Sequence, residues 1–295
     1  MKILLTGKHG QVGFELQRSL AVLGEVVAVD HAECDLSDPA AIRRLVSAVQ
    51  PQIIVNPAAY TAVDKAESDE TTAHAVNAVA PGIFGEAAKA LGAVVVHYST
   101  DYVFDGTGAG AYREDDVPNP QSVYGKTKLA GERALQASGA DCLIFRTSWV
   151  FGAHGGNFAK TMLRLAGERD TLKVVADQFG APTSAALLAD ATAQVLARLI
   201  RDGRAGFPFG LYHLVAGGVT NWHAYAQAVV SAAATAGKPL KIAAADIEPI
   251  PSSAYPVPAP RPANSRLATG KFTDTFGLRL APWEDGLAHV LQQIL

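Results

Sequence analysis

Apolar residues in this 295-residue chain come in short unbroken runs, and between the runs they recur every three or four positions. Residues 2–6 form the first run, which stops at a glycine-rich turn. After it Val12, Leu16, Leu20 and Leu23 share a helical spacing, with Glu15, Gln17 and Arg18 between them. The second run, 26–29, ends at Asp30. Ser37-Asp38-Pro39 then marks a helix start, and 41–49 reads as the helix. The run 52–56 is a third buried-type strand. Residues 71–91 are mostly helical in composition, with an interruption expected at Pro81. Residues 93–98 and 142–146 are further apolar runs, and the stretch between them holds a helix opened by Tyr124 and Lys128. Strands alternating with helices at this spacing predict an α/β fold, a Rossmann-like doubly wound parallel sheet with helices on both faces.

Beyond residue 152 the rhythm loosens. Helices are expected at 157–165, 185–200, 221–236 and 283–295, with Thr220 or Asn221 as the cap of the third. Short strands are expected at 172–175 and 211–214. Residues 249–262 contain six prolines, too many for regular structure, and read as an ordered loop or linker. The expected organisation is a dinucleotide-binding domain at 1–150, to which 171–214 returns. Residues 151–170 and 215–295 then form a smaller carboxyl-terminal substrate-binding lobe.

Composition narrows the class. Apolar residues make up 49% of the chain and charged residues 18%, which suits a globular protein with a sizeable core. A net charge of −3 and the lack of a long basic run give no electrostatic support for binding nucleic acid or an anionic membrane. No apolar run approaches the ~20 residues of a membrane span, and the opening run is broken too early for a signal peptide. The two cysteines, Cys34 and Cys142, match no zinc motif and make no disulfide framework. A cytoplasmic protein with reduced thiols is the expectation.

The chemistry gathers at strand ends. Gly7, Gly10 and Gly13 are spaced Gly-x-x-Gly-x-x-Gly between a strand and a helix. There glycines permit a tight turn, approach of a phosphate to the backbone, and close helix–strand packing, and the helix start turns its N–H groups toward an anion. Asp30, about twenty residues past the glycines, stands where an acid accepts bonds from an adenosine ribose and disfavours a 2′-phosphate. Asp35 and Leu36 follow in a loop within reach of an adenine. Thr100 ends one strand, and Tyr124 and Lys128 lie four apart on the next helix, so both face one way. A cation beside a phenol favours its ionised form, as a tyrosine that exchanges protons near neutral pH requires.

Together the Thr-Tyr-Lys set and the glycine turn resemble the extended short-chain dehydrogenase/reductase superfamily. The blocks Gly7–Gly13, Thr61–Glu67, Ser99–Phe104, Tyr124–Lys128, Phe145–Val150, Gly180–Thr183 and Arg261–Leu267 are similar to the pattern of the dTDP-4-dehydrorhamnose reductase family across nearly the whole chain. The resemblance implies reduction of the C4 ketone of a dTDP-linked 4-keto sugar with NADPH or NADH. Tyr124 would donate the proton, Lys128 would bind the nicotinamide ribose, and Thr100 would hold the substrate oxygen. It also implies cofactor contacts at Gly10, Gln11, Val12, Asp30, Asp35, Leu36, Ala59, Tyr60 and Thr61. Thr100, Asp101 and Trp149 would contact the nucleotide-sugar, and either Arg261 or Arg266 its diphosphate. Related dehydratases carry Thr-Asp-Glu where this chain has Thr100-Asp101-Tyr102, so the acid needed for elimination is missing. Some relatives bridge a dimer through Mg²⁺ using an acid matching Glu15 and a second Glu where this chain has Ala186. One carboxylate is a poor Mg²⁺ site, so a monomer or weak homodimer without a metal is expected. Alternatives within the fold are a reductase or epimerase of another nucleotide-bound 4-keto sugar. A dinucleotide-binding regulatory subunit, as in methionine adenosyltransferase, is a third.

Overall fold

The short apolar runs pair side by side in a computed structural model that describes residues 1–295. In chain order the first part holds β1 (Lys2–Leu5), α1 (Gln11–Leu20), β2 (Glu25–Ala28), α2 (Pro39–Val49) and β3 (Ile53–Asn56). Short helices α3 (Val63–Ala66) and α4 (Glu70–His74) lead to α5 (Ala80–Leu91), then β4 (Val94–Thr100), α6 (Val123–Ala137) and β5 (Asp141–Thr147). These strands and a later one, β10, form a parallel sheet in the order β10-β5-β4-β3-β1-β2. Every residue of β3 and β4 is buried, as expected of strands covered on both faces.

Alternation along the strands divides the core. Ile3, Leu5, Val55, Val96 and Phe145 point to one face, where Leu16 and Leu20 of α1 pack. Leu4, Ile54, Val95 and Ile144 point to the other and meet Ile42, Val46, Phe84 and Leu135 from α2, α5 and α6. Local signals set the helix starts. Asp38 accepts from Ala40 N with Pro39 in the first turn, and Ser122 accepts from Gly125 N (3.1 Å).

The interruption expected at Pro81 does not occur. The chain stays helical from Glu70 to Leu91 by passing through a π-helical turn at Ala75–Val79, which leaves Pro81 in the first turn of α5. The Asn77 carbonyl faces Gly131 of α6, where any Cβ would lie 2.0 Å from it. The lost helix bond is thereby absorbed in a close helix contact.

The second part follows with β6 (Val150–Phe151), α7 (Phe158–Glu168), β7 (Lys173–Val175), β8 (Phe179–Gly180), β9 (Thr183–Ser184), α8 (Ala185–Asp202) and β10 (Gly210–His213). It ends with β11 (Thr220–Asn221), α9 (Trp222–Thr235), β12 (Glu248–Ile250), α10 (Gly270–Phe276) and α11 (Trp283–Ile294). Asn221 is the cap of α9, accepting from Ala224 N at 2.8 Å. α8 packs on the sheet beside α1, and β10 extends the sheet beyond β5. β7 does not follow them. It pairs with β12, because the proline stretch is not wholly irregular: Glu248–Ile250 is a strand whose partner is Lys173–Val175. Pro249 sits on that two-stranded edge, where its missing N–H costs no ladder bond. α10 was not anticipated by the periodicity; its Phe272 and Phe276 close the core around Tyr212. Met162, Tyr225, Val229, Leu287 and Leu291 build a separate core from α7, α9 and α11. No helix is long and apolar enough to cross a membrane.

Candidate active site

The carboxyl ends of β1, β2, β3 and β4 lie along one sheet edge, and the glycine turn opens there. Gly7 has φ +62°, a left-handed conformation that glycine adopts without strain. A Cβ on Gly13 would lie 2.0 Å from the Gly7 carbonyl oxygen, so that position admits no side chain. Gly10 precedes α1 with extended backbone and no side-chain cap, and the first N–H groups of Gln11 and Val12 open toward the edge. The Gln11 side chain turns away to join α1 to the second part, donating to Val150 O (3.3 Å) and accepting from Asn157 Nδ2 (3.0 Å).

Asp30 accepts from His9 N (2.9 Å) and from His31 N (2.7 Å), one bond to each oxygen. The carboxylate thus fixes the glycine turn and is partly neutralised by backbone dipoles. Lys8, in the same turn, pairs with Glu33. Asp35 accepts from Ser37 N (2.8 Å) and Ser37 Oγ (2.7 Å), which hold its carboxyl below the usual carboxylate range, the hydroxyl contributing most. Leu36 is buried beneath it. A cavity of about 360 Å³ is lined by Gly7, Asp30, Asp35, Leu36, Ala59 and Tyr60, among others. The Ala59-Tyr60-Thr61 loop is held by a residue that sequence reading missed. Asn77 accepts from Tyr60 N (2.8 Å) and donates to Tyr60 O (3.1 Å), an arrangement made by the π-helical turn that carries it. Nothing in the local sequence announces that turn.

Thr100, Tyr124 and Lys128 come together at this edge. Thr100 caps the short turn Asp101–Val103, accepting from Tyr102 N (3.2 Å) and donating to Asp101 Oδ1 (3.1 Å). Asp101 is 3% exposed, and burial pushes its carboxyl up to about 6 against the pull of hydroxyl neighbours. Tyr124 is half-buried and meets Tyr102 edge-to-face, 5.4 Å between ring centres. Desolvation pushes the Tyr124 phenol up to about 12, with the Thr100 hydroxyl drawing it down and Asp101 pushing it further. Lys128 is 2% exposed. Its Nζ donates to Tyr98 O (2.6 Å) and lies 3.3 Å from His97 Nε2. Burial lowers this lysine to about 8, with Glu132 opposing. The sequence expectation was a phenol made acidic by Lys128. In this arrangement the lysine faces the strand β4, and desolvation of the phenol wins.

Another cavity, of about 600 Å³, is lined by Tyr102, Trp149, Phe158, Trp222, Arg261 and Ser265 among others. Trp149 has φ +50°, rare for a bulky residue, and this turns its indole onto Trp222, 3.8 Å between ring centres and 18° from parallel. Gly180 leaves room for that ring, since a Cβ there would lie 2.8 Å from the indole. Trp222 escaped the sequence reading because its partner stands 73 positions away. The two candidate arginines separate. Arg261 lines the cavity and pairs with Asp64 (2.7 Å). Arg266 instead donates to Asn264 Oδ1 (2.8 Å) and Ala109 O (2.7 Å), clasping the 105–112 loop. Glu15, considered for a metal bridge, lies 3.6 Å from Arg18.

The family described as RmlD substrate binding domain matches residues 1–295. A dTDP-4-dehydrorhamnose reductase of Salmonella typhimurium is 52% identical over 298 residues, spanning all of this chain and 98% of the relative. The crystal structure of a dTDP-4-dehydrorhamnose reductase from Clostridium acetobutylicum superposes with TM-score 0.89 at 35% identity, covering 100% of this chain and 99% of that one. The enzyme of the same name from Bacillus anthracis, solved in complex with NADP, gives TM-score 0.88 at 31% identity, with 99% of each chain covered. With the fold, the glycine turn and the Thr-Tyr-Lys set in place, this chain belongs to the dTDP-4-dehydrorhamnose reductase family.

Proposed function

We propose that this protein reduces the C4 ketone of dTDP-4-dehydro-β-L-rhamnose to dTDP-β-L-rhamnose, using NADPH or NADH. One observation carries the reading: Tyr102 lines the cavity walled by aromatic rings, meets Tyr124 edge-to-face and donates its N–H to Thr100, while the glycine turn bounds a cavity of its own. The residues present fit a dinucleotide. A left-handed Gly7, a packed Gly13 and free N–H groups at the start of α1 leave a backbone cradle for a diphosphate. Asp30 and the Asp35–Leu36 loop lie at the adenosine end, and Ala59–Thr61 farther along. Both Asp30 oxygens already accept backbone N–H groups, which weakens its repulsion of a 2′-phosphate and supports use of either cofactor.

When bound, the nicotinamide supplies a hydride to C4. This chain supplies the rest. Thr100 Oγ1, turning its one O–H from Asp101 to the ketone oxygen, orients that oxygen beside Tyr124. The Tyr124 O–H bond breaks as negative charge collects on that oxygen, and the proton passes to it. A phenol pushed up to about 12 keeps its proton at neutral pH, so the donor form is the populated one. Lys128 directs one N–H to Tyr98 O and meets His97 Nε2 at 3.3 Å, which leaves a further N–H for the ribose. Trp149 and Trp222 offer a flat platform for the thymine, and Arg261, released from Asp64, a fork for the diphosphate. Tyr102 at the dehydratase Glu position favours plain reduction over elimination.

The test is cofactor oxidation followed by absorbance, with enzymatically prepared dTDP-4-dehydro-L-rhamnose and each cofactor in turn. Loss of reduced cofactor with either one is expected; no change with both would sink the proposal. The protein is further proposed to be cytoplasmic and to be a monomer or weak homodimer without a metal bridge. Glu15 next to Arg18, with Ala186 opposite the family's second acid, supports this. A dimer that EDTA dissociates on size exclusion would overturn it.

A further inference from the structure

Beneath the catalytic edge a row of polar side chains crosses three strands and ends on Lys128. Thr6 follows β1, Asn56 ends β3 and His97 lies in β4, with Asn56 and His97 in register. Thr6 Oγ1 donates to Asn56 Oδ1 (2.5 Å), Asn56 Nδ2 lies 3.2 Å from His97 Nδ1, and His97 Nε2 lies 3.3 Å from Lys128 Nζ. All four residues are at most 2% exposed. Polar groups so deep in an apolar sheet are costly unless bonded, and each of these finds its bond in the next. The titratable groups around the row are few. Tyr124, Lys128 and Glu132 come from α6, and Arg146 from β5 binds Glu132 through two bonds of 2.9 and 2.7 Å. The Tyr98 phenol is on the other side of the sheet, bonded to Thr192. No carboxylate touches Lys128; its partners are a carbonyl and an imidazole.

Such a row has a direction. A charged Lys128 can only donate, so His97 Nε2 must offer its lone pair and Nδ1 must carry the proton. Asn56 must then present its oxygen to His97 and its amide hydrogens to Thr6. A neutral Lys128 allows the opposite order, in which Thr6 donates to Asn56 and Asn56 donates to His97, the order found here. His97 stays uncharged in both, because burial and the neighbouring lysine hold its pKa well below the ordinary value.

We propose that Thr6, Asn56 and His97 form a buried positioning chain that fixes Lys128 Nζ at the cofactor edge and, by reversing its hydrogen-bond direction, keeps the lysine in place in either charge state. The chain also ties the strand that leads into the glycine turn to the helix that carries Tyr124 and Lys128. Asn56 and His97 border neither cavity and act through Lys128; Thr6 also lines the glycine-turn cavity, so its variant is read by its pH limb beside its cofactor affinity.

The proposal rests on the reductase reading, and the two fail differently. Wild-type protein without reductase activity defeats that reading, whereas an active wild type with unmoved variants defeats this one. Three full-length variants, His97→Leu, His97→Gln and Thr6→Val, are compared with wild type by circular dichroism, cofactor-binding fluorescence and pH profiles of kcat and KM. Loss of the lone pair that accepts from charged Lys128 favours the neutral amine. His97→Leu should therefore lower kcat about tenfold or more, leave the sugar KM within about twofold, and move the alkaline limb of kcat to lower pH. His97→Gln, which keeps a polar partner, should recover much of kcat. Thr6→Val should move the limb the same way by a smaller amount. An alkaline limb that stays in place in His97→Leu overturns the proposal, as does a glutamine variant no better than leucine. Should His97→Leu not fold, Thr6→Val decides: a shifted limb supports the chain, an unmoved one rejects it.

Discussion

The two walls of the cleft hold their side chains by different means. On the dinucleotide side, Thr100, Tyr124 and Lys128 come from the end of a buried strand and the first turns of the next helix. Local caps fix Thr100 and the start of the helix at Ser122, and a carbonyl of β4, 30 positions away, holds Lys128. On the sugar side, Trp149 is held by a left-handed backbone and by stacking on a residue from a distant helix. Arg261 and Ser265 lie on a loop stretch clasped to the rest of the molecule by Asn264 and Arg266. The groups proposed to react thus sit on elements that cannot move without breaking the sheet. Of the groups proposed to recognise the sugar nucleotide, Trp149 and Arg261 sit on loops, where substitution and rearrangement are cheaper, and Trp222 opens α9. The proposed chemistry and the proposed specificity are then on separate mechanical supports.

Perturbing each wall sharpens the contrast. The largest effect belongs to Tyr124→Phe, which removes the proton donor and leaves the backbone cradle intact. Turnover should fall on the order of 10²-fold or more, while cofactor affinity measured by fluorescence stays near that of wild type. Retained turnover would place the proton donor elsewhere. Effects on the other wall should appear in KM. Trp222→Ala removes the stacking partner of Trp149, a contact worth about 0.5–1.5 kcal/mol beyond buried area. The sugar KM should then rise up to about tenfold, with kcat changed far less. Smallest in kinetics is Arg266→Gln, whose KM should stay within about twofold because the guanidinium clasps a loop. Its cost should instead appear in chemical denaturation, at about 1–3 kcal/mol for lost charge-assisted bonds. A large KM change there, with stability intact, would move the diphosphate contact from Arg261 to Arg266.

Below the dinucleotide wall, the buried Arg146–Glu132 pair illustrates how firmly that side is set. Both side chains are at most 4% exposed and joined by two parallel bonds. Removing one partner of such a pair leaves a buried charge, a loss of about 3–5 kcal/mol, against less than about 1 kcal/mol for an exposed pair such as Arg43–Glu86.

How much of this was legible beforehand follows the range of the interactions. The parallel sheet could be read because each strand is an apolar run and each helix repeats its apolar residues at a fixed interval, both properties of neighbours in sequence. The glycine turn and the Tyr124–Lys128 spacing were readable for the same reason. Pro81 misled because a proline normally ends a helix, whereas here a π-helical turn, paid for by packing against Gly131, carries the helix past it. The six-proline stretch misled in part because a parallel partner at Lys173–Val175 gives its first residues a strand that composition does not suggest.

Sequence alone therefore determined the fold class, and it singled out the glycine turn and the Thr100, Tyr124 and Lys128 set proposed to react, since local periodicity and turn chemistry encode them. Only the tertiary structure decided which way Lys128 points, which arginine lines the sugar cavity, and that Trp149 lies on Trp222. It alone revealed Thr6, Asn56 and His97 as one row beneath the site. Those contacts join residues 30 to 197 positions apart. Their geometry is set by which strands lie side by side and which loops fold back, and no local pattern of side chains records that.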